Sequence, residues 1–305
     1  MHKLFFFFID GLGLGKNDLS INPTLRSTPP LFSDLTSGNY LLETDQVLFF
    51  ENGTLIPTDA LLGIAGLPQS ATGQTTIFTG INAAAVIGRH LNAFPNPTLI
   101  KIIQKKSLMK TLREQGIRVT SANLYSQGFF TKRKNSKRNL FPASTLTIEA
   151  SGVNFRFPPD YLHDEAIFAD ITNETLQQEG YGLGVISPEK AAENVSNILK
   201  KFDFVFFEYF HTDQYGHKKD ENNLIKIFNT LNRFTAHLWK IVDQKTTSIL
   251  IVSDHGNVED LTTSTHTLNK VPVLFLCRDQ AKVKFFAEQI NSLTHIYPCV
   301  LQYFQ

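Results

Sequence analysis

The feature that most constrains this chain is a short apolar run at residues 4–9, Leu-Phe-Phe-Phe-Phe-Ile, which stops on Asp10-Gly11. Six apolar residues closed off by a charge and a glycine have the length of a strand. Apolarity that is continuous rather than alternating means that both faces of the strand are covered. Such a strand belongs in the middle of a parallel sheet with helices on either side. It also carries an aspartate to the edge of that sheet. The run is too short for a signal-peptide core or a membrane span. A cytoplasmic protein with no membrane partner is expected.

The rest of the chain supplies companions for that strand. A helical pattern covers 97–115, apolar at Leu99, Ile102, Ile103, Leu108 and Leu112 and stopped by Gly116. A β-branched strand follows at 117–121. Ser187-Pro188 starts a helix with Ala191, Val195, Ile198 and Leu199 on its apolar face. Further strands are expected at 203–210, 247–253 and 271–277, and helices at 222–242 and 280–293. This alternation predicts an α/β fold, a mostly parallel sheet flanked by helices on both faces. With 305 residues, 42% apolar and 19% charged, one domain over 1–305 has a sufficient core. A small cap or excursion fits within 123–187, where turn signals at Pro142, Gly152, Pro158-Pro159 and Gly180 to Gly184 interrupt the pattern.

Net charge is +1, which provides no field for a nucleic acid polymer. A local basic run at 132–138 reads as a solvated loop. The two cysteines, Cys277 and Cys299, form no CxxC pair, in keeping with a reducing compartment. Gly11, Gly13 and Gly15 follow the first strand without the G-x-G-x-x-G spacing of a dinucleotide site.

Acidic and imidazole side chains gather where the strands end. Asp10 follows the first. Asp213 and His217 follow the strand at 203–210, Asp254 and His255 follow that at 247–253, and His266 precedes that at 271–277. The carboxyl ends of strands form the crevice of an open α/β sheet. Three aspartates and three histidines without cysteine suit Zn²⁺ or Mn²⁺. Six ligands are too many for one catalytic ion with an open position and divide into two sites of three. Two neighbouring ions can clamp the attacking and leaving oxygens of a phosphoryl group. Ser70 opens a stretch able to start a helix, where backbone N–H groups favour an anion. Its hydroxyl can serve as nucleophile or only as helix cap, and Thr72 competes for either role.

The segment from Ser70 to Gly80 resembles the nucleophile segment of the alkaline phosphatase superfamily, with Gly73 and Gly80 placed as in the cofactor-independent phosphoglycerate mutases. Its spacing is also similar to that of nucleotide pyrophosphatase/phosphodiesterases, and both likenesses select Ser70 over Thr72. Asp213-Gln214-Tyr215-Gly216-His217 resembles the mutase D-x-x-G-H motif, Asp254-His255-Gly256-Asn257 its D-H-G-N motif, and His266-Thr267 with Val271-Pro272 its closing segment. The resemblance implies one ion on Asp10, Ser70, Asp254 and His255, and a second on Asp213, His217 and His266. It implies that Asn92 contacts the phosphoryl oxygens; by itself Asn92 reads as a turn residue before Pro95.

The mutases carry a large cap between the nucleophile and the D-x-x-G-H strand. Here the interval also has to hold core elements, which leaves too little chain for an independently cored cap. A mutase must shield its phospho-intermediate from water. The expectation is therefore a metal-dependent hydrolase of phosphate mono- or diesters acting on a small phosphorylated substrate. A sugar-phosphate mutase and a non-catalytic binding module on the same fold are the alternatives.

Overall fold

The computed structural model describes residues 2–134 and 140–305. Among these, seven strands form one sheet: β1 (Lys3–Ile9), β2 (Leu48–Phe50), β3 (Gly53–Thr58), β4 (Val119–Ser121), β5 (Phe204–Tyr209), β6 (Thr247–Val252) and β7 (Val271–Leu276), in the order β2-β3-β7-β6-β1-β5-β4. β1 is an interior strand, parallel to β5 with Phe6 opposite Phe206, and parallel to β6 with Phe6 opposite Leu250. β4 extends the parallel part beyond β5. On the other side β7, β3 and β2 are added antiparallel. The α/β class is as expected, and the parallel region is the part from which Asp10, Asp213 and Asp254 emerge.

The apolar run of β1 is buried on both faces because successive side chains of a strand point in opposite directions. Leu4, Phe6 and Phe8 face a core that also holds Phe78, Ile103, Leu112, Leu146, Phe286 and Val300. Phe5, Phe7 and Ile9 face a second core with Val195, Ile198, Phe228 and Phe234. The first core is roofed by helices that include Ser70–Thr79 and Ala143–Ser151, the second by Pro188–Lys201 and Glu221–Ile241. Phe8 meets Phe78 edge-on at 5.6 Å, and Phe7 meets Phe234 edge-on at 5.7 Å. Each buried Phe contributes roughly 1.5–3 kcal/mol, so both layers are clamped to the strand that ends in Asp10.

The structure departs from the sequence pattern in two places. The pattern over 97–115 is two helices, Pro97–Lys105 and Leu108–Glu114, because extended backbone at Lys106 (φ −146°, ψ 94°) re-aims the second. Leu99 and Ile103 of one and Leu108 and Leu112 of the other are all buried. β3 contains Pro57, which argues against an interior strand because it lacks a donor. It is tolerated opposite Pro272 of β7, so both missing N–H groups fall on one rung. Within 123–187 the chain forms short helices and isolated bridges, Asn123 to Ile167 and Leu124 to Arg156. The basic run at 132–138 lies outside the described residues from 135 onward.

Candidate metal centre

Three neighbouring parallel strands carry the acidic residues to one edge. Asp10 ends β1, Asp254 and His255 lie just past β6, and Asp213 and His217 sit four apart on the helix His211–Lys218 that follows β5. Four-residue spacing puts the last two on one helical face. His266 comes from the loop before β7. The six side chains gather into two trios, Asp10–Asp254–His255 and Asp213–His217–His266, each with its ligand atoms within 4.8 Å of one another.

In the first trio, His255 Nε2 lies 3.2 Å from Asp10 Oδ1 and 3.5 Å from Asp254 Oδ2. Asp10 Oδ1 is buried and accepts no hydrogen bond. In the second, Asp213 lies 3.4 Å from His217 Nε2 and 3.5 Å from His266 Nε2. The outer ring nitrogens of these two histidines are taken by backbone carbonyls. His217 Nδ1 donates to Ser264 O and His266 Nδ1 to Pro68 O, each at 2.7 Å. Such bonds fix the tautomer that turns the Nε2 lone pair inward. The two Nε2 atoms then face each other at 3.2 Å, a geometry that calls for a cation between them. The donor set, the unbonded Asp10 oxygen and the fixed tautomers all fit divalent ions. The trios adjoin, for the His255 and His266 rings stack at 3.7 Å.

The electrostatics of the protein alone show the same demand for positive charge. Burial, and then the Asp254 and Asp213 carboxylates, push the Asp10 carboxyl well above its usual range. Burial and the Asp213 charge push Asp254 up to about 8. Asp213 is half-buried, which by itself would raise it, yet its contacts with His217 and His266 outweigh that and hold it low. The Asp213 contact raises His217 to about 9 against the effect of burial. Protons thus do in part what a bound cation does better.

Ser70 is the first residue of its helix. The cap position falls on Gln69, which makes no side-chain cap bond. Ser70 Oγ instead points at His255 Nε2, 3.0 Å away, so the residue is free of the capping role. Thr72 is fully buried and donates to Gln69 O at 3.0 Å, which ties it to the backbone. Gly73 lets this helix lie against the metal loop, since a Cβ there would come 2.9 Å from Asp254 Cβ and O. Beside the first trio opens a cavity of about 540 Å³ lined by Asp10, Ser70, Asn92 and Asp213. Its far wall comes from the 123–187 segment, through Leu124, Tyr125, Phe129, Phe168 and Tyr181. The fold thus brings all eight expected residues to one place.

Sequence reasoning missed Gln74, Asn257 and Glu259. Gln74 Nε2 donates to Asp10 Oδ2 and Asp254 Oδ2, both at 3.2 Å. Its four-residue spacing from Ser70 on one helix was the available signal. Asn257 Nδ2 donates to Asp213 Oδ1 at 2.9 Å.

One edge of the α/β sheet thus carries two acid–histidine trios and a serine, an arrangement able to hold two metal ions. The Metalloenzyme superfamily matches residues 171–305, the stretch that holds both trios except Asp10. Over 134 residues the chain is 29% identical to a 2,3-bisphosphoglycerate-independent phosphoglycerate mutase from Prochlorococcus marinus, covering 38% of this chain and 25% of that protein. A relative of the same name from Nitrosococcus oceani is 28% identical over 127 residues, 37% of this chain and 24% of its own length. The match thus spans about a quarter of these relatives. Across nearly the whole length the fold is shared with the PH0037 protein from Pyrococcus horikoshii, at TM-score 0.59 and 16% identity, covering 99% and 96% of the two chains. It is also shared with a cold-active alkaline phosphatase from a psychrophilic Shewanella, at TM-score 0.51 and 11% identity, covering 98% and 99%. Among the described residues no helix is long and apolar enough to cross a membrane.

Proposed function

We propose that this chain is a metal-dependent hydrolase of phosphate mono- or diesters that works through a phosphoseryl intermediate on Ser70. The observation that carries the reading is Ser70 Oγ placed 3.0 Å from His255 Nε2, beside the Asp10–Asp254–His255 trio and at the start of a helix whose cap residue leaves the first amides without a side-chain partner. Asp10, Asp254 and His255, joined by Ser70, would hold one divalent ion, and Asp213, His217 and His266 a second, Zn²⁺ or Mn²⁺. When bound, the two ions supply charge that neutralises the phosphoryl oxygens and lowers the pKa of the Ser70 hydroxyl.

Ser70 Oγ gives up its proton and attacks phosphorus, and the ester oxygen leaves and takes a proton as the free alcohol. Water then attacks the phosphoserine. The P–Oγ bond breaks, the serine is reprotonated, and phosphate (or a monoester, from a diester) is released. Asn92, on the cavity lining, would donate to a phosphoryl oxygen, and the amides at the start of the Ser70 helix to another. Thr72 takes no part, because its hydroxyl serves the backbone.

The test is Ser70→Ala in the metal-loaded protein with an aryl phosphate as substrate. Turnover should fall by several orders of magnitude, on the scale seen when a covalent nucleophile is removed, while two ions remain bound. Acid-quenched wild-type protein should yield a peptide phosphorylated on Ser70. Phosphate on Thr72 would make Thr72 the nucleophile, and full activity in Ser70→Ala with no phosphorylated peptide would leave direct attack by water as the mechanism. The likeness to phosphoglycerate mutases favours a second reading, transfer within a sugar phosphate or glycerate phosphate. Isomerisation without phosphate release would establish that reading in place of hydrolysis.

A further inference from the structure

Next to the two trios lies a carboxylate that neither trio uses. Glu259 is fully buried. Both of its oxygens are saturated by neutral donors. Oε2 accepts from the backbone N–H of Gly13 at 2.9 Å and of Asn257 at 2.8 Å. Oε1 accepts from Thr267 Oγ1 at 2.5 Å and Asn269 Nδ2 at 3.1 Å. Four bonds use the lone pairs of a carboxylate, so none remains for an ion.

The origin of those donors matters more than their number. Gly13 is three residues beyond Asp10, Asn257 two beyond His255, and Thr267 next to His266. Asn257 adds a link to the remaining acidic ligand by donating to Asp213 Oδ1 at 2.9 Å. One side chain therefore joins loops that serve both trios. The loops close on it tightly. A Cβ at Gly13 or at Gly256 would lie 2.2 Å from Glu259 Oε1, and four hydrogen bonds prevent the carboxylate from swinging aside. Burying a charge at this point is costly unless every acceptor position is satisfied. The three loops meet that condition only in one mutual arrangement, so the carboxylate selects that arrangement.

We propose that Glu259 is a positioning residue that sets the spacing of the two metal trios, by locking the loops of Asp10, His255 and His266 onto one carboxylate. The inference rests on the two-ion reading above. Groups that orient metal ligands in this way typically change metal affinity or activity by about 10- to 100-fold when removed.

The experiment is calorimetric titration of the metal-free full chain with MnCl₂, for wild type, Glu259→Gln and Thr267→Val, with kcat and KM measured on an aryl phosphate and the melting temperature of each metal-free protein. The amide keeps the shape of Glu259 but turns an NH₂ toward donors. It should weaken Mn²⁺ binding by about 10- to 100-fold, lower kcat while changing KM little, and recover part of kcat in excess Mn²⁺. Thr267→Val removes one bond and should weaken binding in the same direction by less. A lower melting temperature with unchanged Mn²⁺ stoichiometry and affinity would mean that Glu259 only supports the fold, and would overturn the proposal. If Glu259→Gln does not fold, wild-type Mn²⁺ affinity in Thr267→Val overturns it. A wild-type chain that binds fewer than two ions overturns the two-ion reading and this proposal with it. Two ions in wild type, matched by both variants, overturn this proposal alone.

Discussion

The two trios are built from the same kinds of side chain and touch through a stacked pair of imidazoles, but they differ in depth and in charge. Asp10, Asp254 and His255 are all buried, two carboxylates to one imidazole. In the other trio only His266 is buried, Asp213 is half-buried and His217 is exposed, one carboxylate to two imidazoles. Depth and stoichiometry push the acids in opposite directions. The deep carboxyls are driven up by burial and by neighbouring carboxylates, Asp213 among them, whereas Asp213 is held down by its histidines. The deep trio cannot settle its own charge and should bind a cation strongly and exchange it slowly. The shallow trio is close to balanced, opens toward solvent, and should exchange its ion readily.

The largest effect should come from the deep trio. Asp254→Asn keeps the volume of the side chain and removes its charge. It should lower kcat by on the order of a thousandfold or more, the loss of several kcal/mol of charge stabilisation, with the far-ultraviolet circular dichroism unchanged. A folded variant that keeps its activity would break the comparison. His217→Ala in the shallow trio should also be severe in limiting metal, but excess Mn²⁺ should restore a substantial part of its activity. If Asp254→Asn is rescued equally well, depth makes no difference.

A smaller effect concerns pH. In the metal-free fold Asp254 keeps its proton to about 8 and His217 to about 9, whereas in the unfolded chain these groups release theirs near their ordinary values. Their contribution to stability is complete below those ordinary values and is lost as pH rises through about 8 and 9. Asp213, held low, acts in reverse and destabilises only as pH falls below the carboxylate range. The melting temperature of metal-free protein should therefore drop from about pH 6 to about pH 9, and the increase produced by Mn²⁺ should grow over the same interval, since binding displaces protons. An Mn²⁺-induced increase that does not vary with pH would contradict these protonation states. The smallest effect is expected from Thr72→Ala, which removes a hydroxyl bonded to Gln69 O. It should cost about 1 kcal/mol of stability and leave kcat within a fewfold of wild type in the same assay that tests Ser70→Ala.

The members of the two trios were legible in the sequence because continuous apolar strands announce where they end, and Asp10, Asp254 and His255 follow at once. Ser70 was legible as a helix start, though the residues alone left it and Thr72 as rivals. What separates them is a tertiary contact to His255, 185 residues away. β2 and β3 escaped notice because Gly53 and Pro57 are poor strand residues, and their pairing is fixed by β7 far along the chain. The helices Pro158–Leu162 and Glu174–Gln178 are five residues each, too short for periodicity to show. Glu259 gave no signal because its partners come from three separate loops.

The cavity has a consequence of its own for how such a chain can change. None of the six side chains of the two trios lies between Ser70 and Asp213 in the sequence, yet that interval furnishes Leu124, Tyr125, Phe129, Phe168 and Tyr181 of the cavity wall. The part that would perform the reaction and the part that would choose the substrate occupy different stretches of chain. Insertions or exchanges in the wall can alter what fits the cavity while every side chain of the two trios keeps its place, so selectivity in this architecture is modular.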